Sequence, residues 1–408
     1  MNKSNNSIPS GNKKKITDLM LNIGAVVIMN CVLQFLLYPR FEKILGVEKY
    51  GVALTLMAII SITACSFGSA GNYSRLINEN EHKPSNGDYV VLLLLSSIVS
   101  VAVGLICLHK LQVLTWQTGL FYSLLIVATA FKYYSDVGFK IKADFVRYFF
   151  YYLFISIGYF AGLFIFNGTG DWMLAILAGE ILGVFFAIIQ SKIFVKPFSL
   201  SKNFKFFVGS FAFLVFSNLI ENLTLNADRL VLMIFAGGES VAVYYTASLF
   251  GKIIAMLTVP INSVVITYLV RYNGELTRKM WFKILAVAVG LSVLCFLGCY
   301  VGSIIILPHV YPDLYASLAR YLLPAIGAQV IYFVSTVLLV VLLKFRGEKK
   351  QFVCNIIYGV IFFASTLTFT YLYKLEGFVI SSLVANAIRF IYVSIWGFVS
   401  KKPIVKES

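Results

Sequence analysis

Long apolar segments separated by short polar stretches recur along the whole 408-residue chain. Many contain 18 or more residues almost without charge, which is the length that a helix needs to cross a hydrocarbon core of about 30 Å. The runs are continuous and do not alternate, so they predict helices and not the strands of a barrel. We predict about twelve spans, at residues 16–39, 50–73, 89–108, 114–131, 145–166, 171–195, 206–236, 241–268, 282–307, 320–343, 351–372 and 377–400.

The composition supports the same class. Hydrophobic residues make up 59% of the chain and charged residues 13%, whereas a soluble domain has about 45–50% and about 25%. The first fifteen residues are polar and basic and predict a disordered tail. The longest connection, 74–88, is too short for a soluble active site. The predicted fold class is an all-α polytopic membrane protein.

The net charge of +16 comes from 34 Lys and Arg against 18 Asp and Glu. Most of the basic residues fall in alternate connections, for example Lys132, Lys140, Lys142 and Arg147 in the connection after the fourth span. This asymmetry is the positive-inside pattern of membrane proteins, so it predicts a multi-pass topology with both termini cytoplasmic. It also explains the basic charge without a nucleic-acid partner.

A basic connection at 196–205 lies at the middle of the chain and divides it into two lobes of six spans, residues 1–203 and 204–408. The lobes also contain a short sequence repeat. It aligns the turn after the first span of one lobe with the turn after the first span of the other. Four residues recur at a constant offset: Gly46, Glu48, Val52 and Thr55 in the first lobe, and Gly237, Glu239, Val243 and Thr246 in the second. A parallel repeat of this kind is typical of transporters.

Polar residues interrupt the apolar pattern inside several spans. Five of them share an arc of about 140° on one helix face at 100° per residue: Asn218, Glu221, Asn222, Asn226 and Arg229. Other charges that lie well inside their predicted spans include Glu180, Asp228, Lys252 and Arg389. A charge that faces lipid costs about 3 kcal/mol or more, so these residues should line a watery cavity or face other helices.

Sequence motifs for chemistry are lacking. All six cysteines fall in apolar spans and the three histidines in separate loops, so we predict no metal site and no cofactor. No Gly-rich nucleotide loop, carboxylate pair or Ser/His/Asp set is present, and we therefore do not expect an enzyme.

Three motifs resemble a known family. The first, P-x-F-x-x-x-L-G-x-x-x-Y-G, comprises Pro39, Phe41, Leu45, Gly46, Tyr50 and Gly51. The second, N-x-D-R-x-x-L, comprises Asn226, Asp228, Arg229 and Leu232, and the third, G-G-x-x-V-A-x-Y, comprises Gly237, Gly238, Val241, Ala242 and Tyr244. With the span number, they resemble the polysaccharide (O-antigen) flippases of the multidrug/oligosaccharidyl-lipid/polysaccharide (MOP) exporter superfamily.

The resemblance implies two six-helix lobes around a central cavity that opens alternately to either side of a bacterial cytoplasmic (inner) membrane. The substrate would be a polyprenyl-diphosphate-linked oligosaccharide, an O-antigen or capsule repeat unit, moved between the leaflets of the membrane lipid. A polysaccharide polymerase and chain-length machinery would be the protein partners.

On this hypothesis the candidate substrate-binding residues are Arg229, Lys252, Arg389, Asn30, Gln34, Asn218 and Asn222. The candidate ion-coupling residues are Glu180, Glu221 and Asp228. A structural interpretation stays open, in which Glu180 pairs with Arg389, Asp228 pairs with a neighbour, and the amides join helices.

Two other functions stay open. An ion-coupled small-molecule or drug antiporter of the same superfamily would use the three acids as its ion sites. A membrane-embedded glycan polymerase or glycosyltransferase would need a large outer loop with catalytic residues, and the loops here are short.

Overall fold

The computed structural model describes residues 10–191, 193–196, 198–256, 258, 261–262, 265, 274, 276–346 and 348–398, and the elements in this part of the chain are helices. The tail predicted over residues 1–15 is too long, because the first helix already begins at Ser10. Residues 1–9 and 399–408, which hold most of the predicted cytoplasmic tails, lie outside the described residues, as does part of the predicted span 241–268.

The chain divides into two compact units, Met1–Ala227 and Asp228–Ser408. The helices up to residue 225 are α1 (Ser10–Val32), a π-helical stretch (Leu33–Leu37), α2 (Tyr38–Leu45), α3 (Val47–Ile60), a second π-helical stretch (Ser61–Cys65), α4 (Ser66–His82), α5 (Asn86–Lys110), α6 (Trp116–Ser135), α7 (Val137–Ile141), α8 (Phe145–Thr169), α9 (Trp172–Ser191) and α10 (Phe204–Leu225). The predicted boundary between the two six-span lobes, at 203/204, rests on the sequence repeat and stays a prediction.

The helices that follow are α11 (Ala227–Ala247), α12 (Leu249–Met256), α13 (Arg278–Val310), α14 (Pro312–Leu318), a 3-10 turn (Ala319–Tyr321), α15 (Leu322–Arg346) and α16 (Glu348–Phe398). The last of these is broken at Lys374, where φ is 54° and ψ is −131°. A continuous helix of its 51 residues would be about 75 Å long, so the break at Lys374 separates two membrane-length passes.

Ten of the described helical segments are long and apolar enough to cross a membrane. Helix α6, with 20 residues, is not among the ten but is about 30 Å long, and the break in α16 divides one of the ten into two membrane-length parts. Large apolar side chains stay uncovered along these helices; Ile98 is 66% exposed and Phe213 is 76% exposed. Such exposure is stable where lipid is the solvent, which confirms the all-α membrane class.

Side-chain caps begin several helices at the positions where the sequence turns polar. The Ser85 hydroxyl accepts a bond from the Asp88 N–H, and the Asp88 carboxylate accepts one from the Ser85 N–H at 2.9 Å. Thr115 caps α6 in the same way, and Asp144 and Thr277 cap α8 and α13. Each cap satisfies otherwise unpaired amides and contributes about 1 kcal/mol.

The repeat predicted from Gly46 and Gly237 has a structural counterpart. Gly46 has φ 79° and ψ 163°, and Gly237 has φ 84° and ψ 174°. This region of backbone space is essentially confined to glycine. Both glycines end one helix and begin the next, so the two units use the same unusual turn at equivalent positions.

Glycines also allow α8 and α9 to pack closely. A Cβ atom added at Gly158 would lie 2.5 Å from the Gly179 Cα atom, and one added at Gly179 would lie 2.1 Å from the Tyr159 ring. Small residues at a helix interface let backbones approach in this way. The contact positions the Tyr159 ring beside the residue that follows Gly179, which is Glu180.

Candidate functional site

In the first unit, Glu180 on α9 forms a buried ion pair with Lys132 on α6. The Lys132 Nζ atom donates to the Glu180 Oε1 atom at 2.8 Å, and the Tyr159 hydroxyl donates to the same oxygen at 2.7 Å. Lys132 is 5% exposed and Glu180 is 2% exposed. The Lys132 ammonium also lies 4.6 Å from the centre of the Tyr133 ring. The group joins α6, α8 and α9.

This pair corrects two predictions. Lys132 was placed in a cytoplasmic connection, but α6 continues to Ser135, and the lysine side chain is therefore enclosed by helices. The acid predicted to pair with Arg389 has Lys132 as its partner instead. A span predicted from apolar residues alone is too short when the last turn of the helix is polar but buried. The apolar pattern indicates which residues avoid water, and it does not indicate where the helical backbone ends.

The polar stripe of α10 faces α4 and the π-helical stretch before it. The Asn222 Nδ2 atom donates to the Ser66 hydroxyl at 3.0 Å, and the Asn218 Nδ2 atom donates to the Ser66 carbonyl at 3.3 Å. One turn further, the Asn226 Nδ2 atom donates to the Ser61 hydroxyl at 3.2 Å. The amides predicted to bind glycan thus join helices in this structure, as the structural interpretation expected.

Glu221 does not take part in this contact, although it was predicted on the same face. Its side chain is exposed, and in the described part of the chain it forms no ion pair. Asn30 is half-buried and its Nδ2 atom donates to the carbonyl of Val26 at 2.9 Å, one turn back in the same helix. Gln34 is buried within the first π-helical stretch. A substrate role for Asn30 and Gln34 and an ion-coupling role for Glu221 stay predictions.

In the second unit, Asp228 and Lys252 form an ion pair between the Oδ2 and Nζ atoms. The Lys252 ammonium also lies 4.3 Å from the centre of the Tyr245 ring, and the Arg229 guanidinium lies 5.1 Å from the same ring. Tyr245 therefore has two cations beside its negatively polarised ring.

Arg389 on α16 is the buried cation without an acid. It is 5% exposed, and no ion pair with it occurs among the described residues. Its guanidinium lies 4.7 Å from the centre of the Tyr332 ring and 4.5 Å from that of Tyr358. A weak bond of 3.5 Å joins its Nη2 atom to Asn355, while the buried Nε and Nη1 atoms have no hydrogen-bond partner in the described structure.

Tyrosines accompany both groups of basic residues. Tyr245 lies beside Lys252, and Tyr332 and Tyr358 lie beside Arg389. The Tyr244 hydroxyl is 3.4 Å from the Ser382 hydroxyl. The second unit thus places Lys252 and Arg389 each beside tyrosine rings. The sequence pattern had identified its charges but missed its tyrosines, because aromatic residues in spans are far more often packing residues.

Metal binding has no visible basis in the described residues. They contain no group of three or more His, Cys, Asp or Glu side chains that could hold an ion. All six cysteines are free thiols.

The overall fold is similar to solved membrane transporters. The lipid II flippase MurJ in an inward closed conformation superposes with a TM-score of 0.71 at 15% identity, over 93% of this chain and 87% of that one. An inward-facing multidrug resistance MATE transporter of the MOP superfamily gives 0.66 at 14% identity, over 92% and 97%. The Vibrio cholerae MATE transporter VcmN in the bent form gives 0.60 at 14% identity, over 95% of each chain.

No family model matches the sequence, and no curated protein sequence matches it. The structure defines a helical membrane protein with the fold of these solved transporters, which include a member of the MOP superfamily. At such low identity the likeness is one of fold, and the similar structures include both a flippase and drug transporters.

Proposed function

We propose that the protein is a MOP transporter that moves a polyprenyl-diphosphate-linked oligosaccharide, an O-antigen or capsule repeat unit, from the cytoplasmic to the outer leaflet by alternating access. The observation that carries the proposal is Arg389, a guanidinium buried among membrane helices with two N–H-bearing nitrogens unsatisfied and no described acid. A buried cation of this kind is costly unless an anion compensates it at some stage of the work cycle.

The chemistry of the headgroup explains why such a cation helps. A diphosphate with several sugars cannot cross hydrocarbon unaided, since even one unpaired charge costs several kcal/mol. A guanidinium presents a planar fork of donors that matches phosphate oxygens. The rings of Tyr332 and Tyr358 lie within 5 Å of the Arg389 guanidinium, at 4.7 and 4.5 Å, and stabilise its positive charge. The polyprenyl tail stays in lipid throughout.

The antiporter is the second candidate, and one observation favours it. Glu221 is an exposed carboxylate on a membrane-length helix and has no described ion pair. Glu180 and Asp228, the other predicted ion sites, are each matched by a lysine. A cation-coupled antiporter would therefore depend on Glu221 more than on the two paired acids, whereas the flippase would depend on Arg389.

The test is transport by purified protein in proteoliposomes. A fluorescent polyprenyl-diphosphate disaccharide is placed in one leaflet, and its arrival in the other is followed with a membrane-impermeant quencher. We expect Arg389→Gln to slow translocation by about tenfold or more, and Arg389→Lys to retain part of it, because charge is kept while the fork is lost. Lys279→Gln is the matched control, since it removes one positive charge from an exposed position.

Wild-type liposomes that leave the labelled lipid in its original leaflet would contradict the proposal. Ion-driven uptake of a cationic dye by the same liposomes, lost in Glu221→Gln and kept in Arg389→Gln, would establish the antiporter instead. We propose no enzymatic activity, and the polymerase and chain-length partners stay predictions that co-purification can test.

A further inference from the structure

The second unit has a cavity whose lining includes neither Lys252 nor Arg389. Its volume is about 500 Å³, within the range of about 300–1,000 Å³ that is usual for small-molecule sites. Three segments form it: the residues after the Gly237 turn, the end of α14 with the 3-10 turn, and the break in α16 at Lys374. Helices α13 and α15 place their basic ends, with Lys279 and Lys344, at the opposite side of the unit. The cavity therefore lies on the side predicted to face outward.

Charged groups of both signs line the cavity in equal number. Glu239 and Glu376 contribute carboxylates, and Arg320 and Lys374 contribute cations. The Arg320 Nη1 atom lies 3.6 Å from the Glu376 Oε1 atom, and both side chains are more than half exposed. An exposed ion pair of this kind contributes about 0–1 kcal/mol. Either side chain can therefore leave its partner and bind a ligand with little loss of free energy. Because the charges balance, the cavity offers no net attraction to a diphosphate or to a drug cation.

Aromatic rings complete the lining. Tyr321 lies under the Arg320 guanidinium at 4.6 Å, and Tyr373 stacks on Phe369 at 6.3 Å with an interplanar angle of 19°. Tyr373 is nevertheless 62% exposed, so one part of its ring is available at the cavity. The backbone break at the next residue, Lys374, is what turns this ring and Glu376 toward the same space.

This combination matches a sugar better than other ligands. A pyranose has a face of C–H bonds that can lie on an aromatic ring and a rim of hydroxyls that both donate and accept. Carboxylates accept from those hydroxyls and guanidinium groups donate to them, and such charge-assisted bonds are the stronger kind. A phosphate gains no net attraction where two carboxylates offset two cations, and an apolar molecule would leave the four charged side chains without hydration.

We propose that this cavity binds a neutral sugar or disaccharide unit. On the function proposed above, the unit is the glycan of the lipid-linked substrate as it emerges on the outer side. The site holds the sugar while Arg389 acts on the diphosphate, so the two ends of one headgroup are recognised by different chemistry. The sugar site itself requires only the cavity and its lining, and it can be tested without transport.

The experiment is saturation-transfer difference NMR on the full-length protein in nanodiscs, with lipid-free probes. The probes are glucose, galactose, rhamnose, N-acetylglucosamine, N-acetylgalactosamine and the disaccharides maltose, lactose and chitobiose. We expect binding of at least one of them. Tyr373→Ala should weaken it by about fivefold, which corresponds to the loss of one aromatic contact. Glu376→Gln should weaken it by a similar factor.

The matched control is Tyr371→Ala, because Tyr371 is exposed on the same helix end, contacts Phe235 and does not line the cavity. It should bind the sugar as wild type does, and every variant should keep the wild-type elution volume and melting temperature. Arg389→Gln should also bind the free sugar normally while failing in translocation, which separates this inference from the proposed function.

Absence of a signal from all eight probes would overturn the sugar site even if translocation is found. Equal loss of binding in Tyr371→Ala and Tyr373→Ala would also overturn it. Calcium binding that disappears in Glu239→Gln and Glu376→Gln, with no sugar bound, would instead make the cavity a cation site.

Discussion

The buried pair of Lys132 and Glu180 yields the sharpest prediction on stability. The change Lys132→Met removes the ammonium and keeps an unbranched apolar side chain of similar length. The carboxylate is then left with the Tyr159 hydroxyl as its described donor, since its second oxygen, Oε2, is buried without a hydrogen-bond partner in the described structure. We expect the variant to insert but to be markedly less stable.

The magnitude follows from the geometry. At the Nζ–Oε1 distance of 2.8 Å the attraction is about 6 kcal/mol for an effective dielectric constant of about 20. The Tyr159 hydroxyl still donates to the carboxylate in the variant, so the loss is smaller than the full attraction. The expected loss for Lys132→Met is about 4 kcal/mol. This agrees with the usual loss of about 3–5 kcal/mol when one partner of a buried pair is removed.

A double-mutant cycle measures the coupling directly. The free energy of unfolding is determined by denaturant titration in mixed micelles at pH 7 for wild type, Lys132→Met, Glu180→Gln and the double variant. We expect each single variant to lose about 3–5 kcal/mol and the double variant to lose less than the sum by about 3 kcal/mol. The matched control is the partly exposed pair of Arg147 and Asp144, 3.3 Å apart, whose coupling should be about 0–1 kcal/mol.

Additive losses in the Lys132 and Glu180 cycle would refute the reasoning, because they would mean that the two charges do not compensate each other. Stable single variants with normal folding but no transport would refute it differently. The pair would then act in the transport cycle and not in holding α6 to α9.

Three further predictions can be checked with standard variants. Gly46→Ala should lose about 1–3 kcal/mol of unfolding free energy from backbone strain alone, since an added Cβ would meet nothing within 4 Å. Gly298 lies inside a helix and is equally open, so Gly298→Ala should not destabilise the protein. Equal losses in the two variants would contradict the argument that the Gly46 turn requires glycine. Asn222→Ala should reduce the yield of folded protein by leaving the Ser66 hydroxyl without its donor, while the rate per folded molecule stays near wild type; a normal yield with slow translocation would favour a glycan contact. In a cysteine-free background, Glu81→Cys should react with a membrane-impermeant thiol reagent only after lysis, whereas Gly168→Cys should react in intact cells. The asymmetry of basic residues predicts that these two exposed positions lie on opposite sides of the membrane. The reverse labelling pattern would show that the topology is inverted.

The sequence by itself determined the class of this protein and the spacing of its helices. Apolar length is a local property that the solvent imposes on each span separately, so it can be read without knowing any neighbour. The turns at Gly46 and Gly237 were also predictable, since a repeated glycine marks a backbone conformation that other residues avoid. The same reasoning located Arg389 inside the membrane, because its flanking residues are apolar.

Only the tertiary structure decided which polar groups meet. Helical periodicity gives the face on which Asn222 or Glu180 lies, but it does not say which helix packs on that face. Asn222 therefore appeared as a cavity residue until α4 was found beside it, and Glu180 lacked its partner until the last turn of α6 placed Lys132 there. Among the described residues, Arg389 differs from Lys132 and Lys252 because no carboxylate is paired with it. Pairing depends on contacts between residues far apart in the chain, and a local pattern contains no information about them.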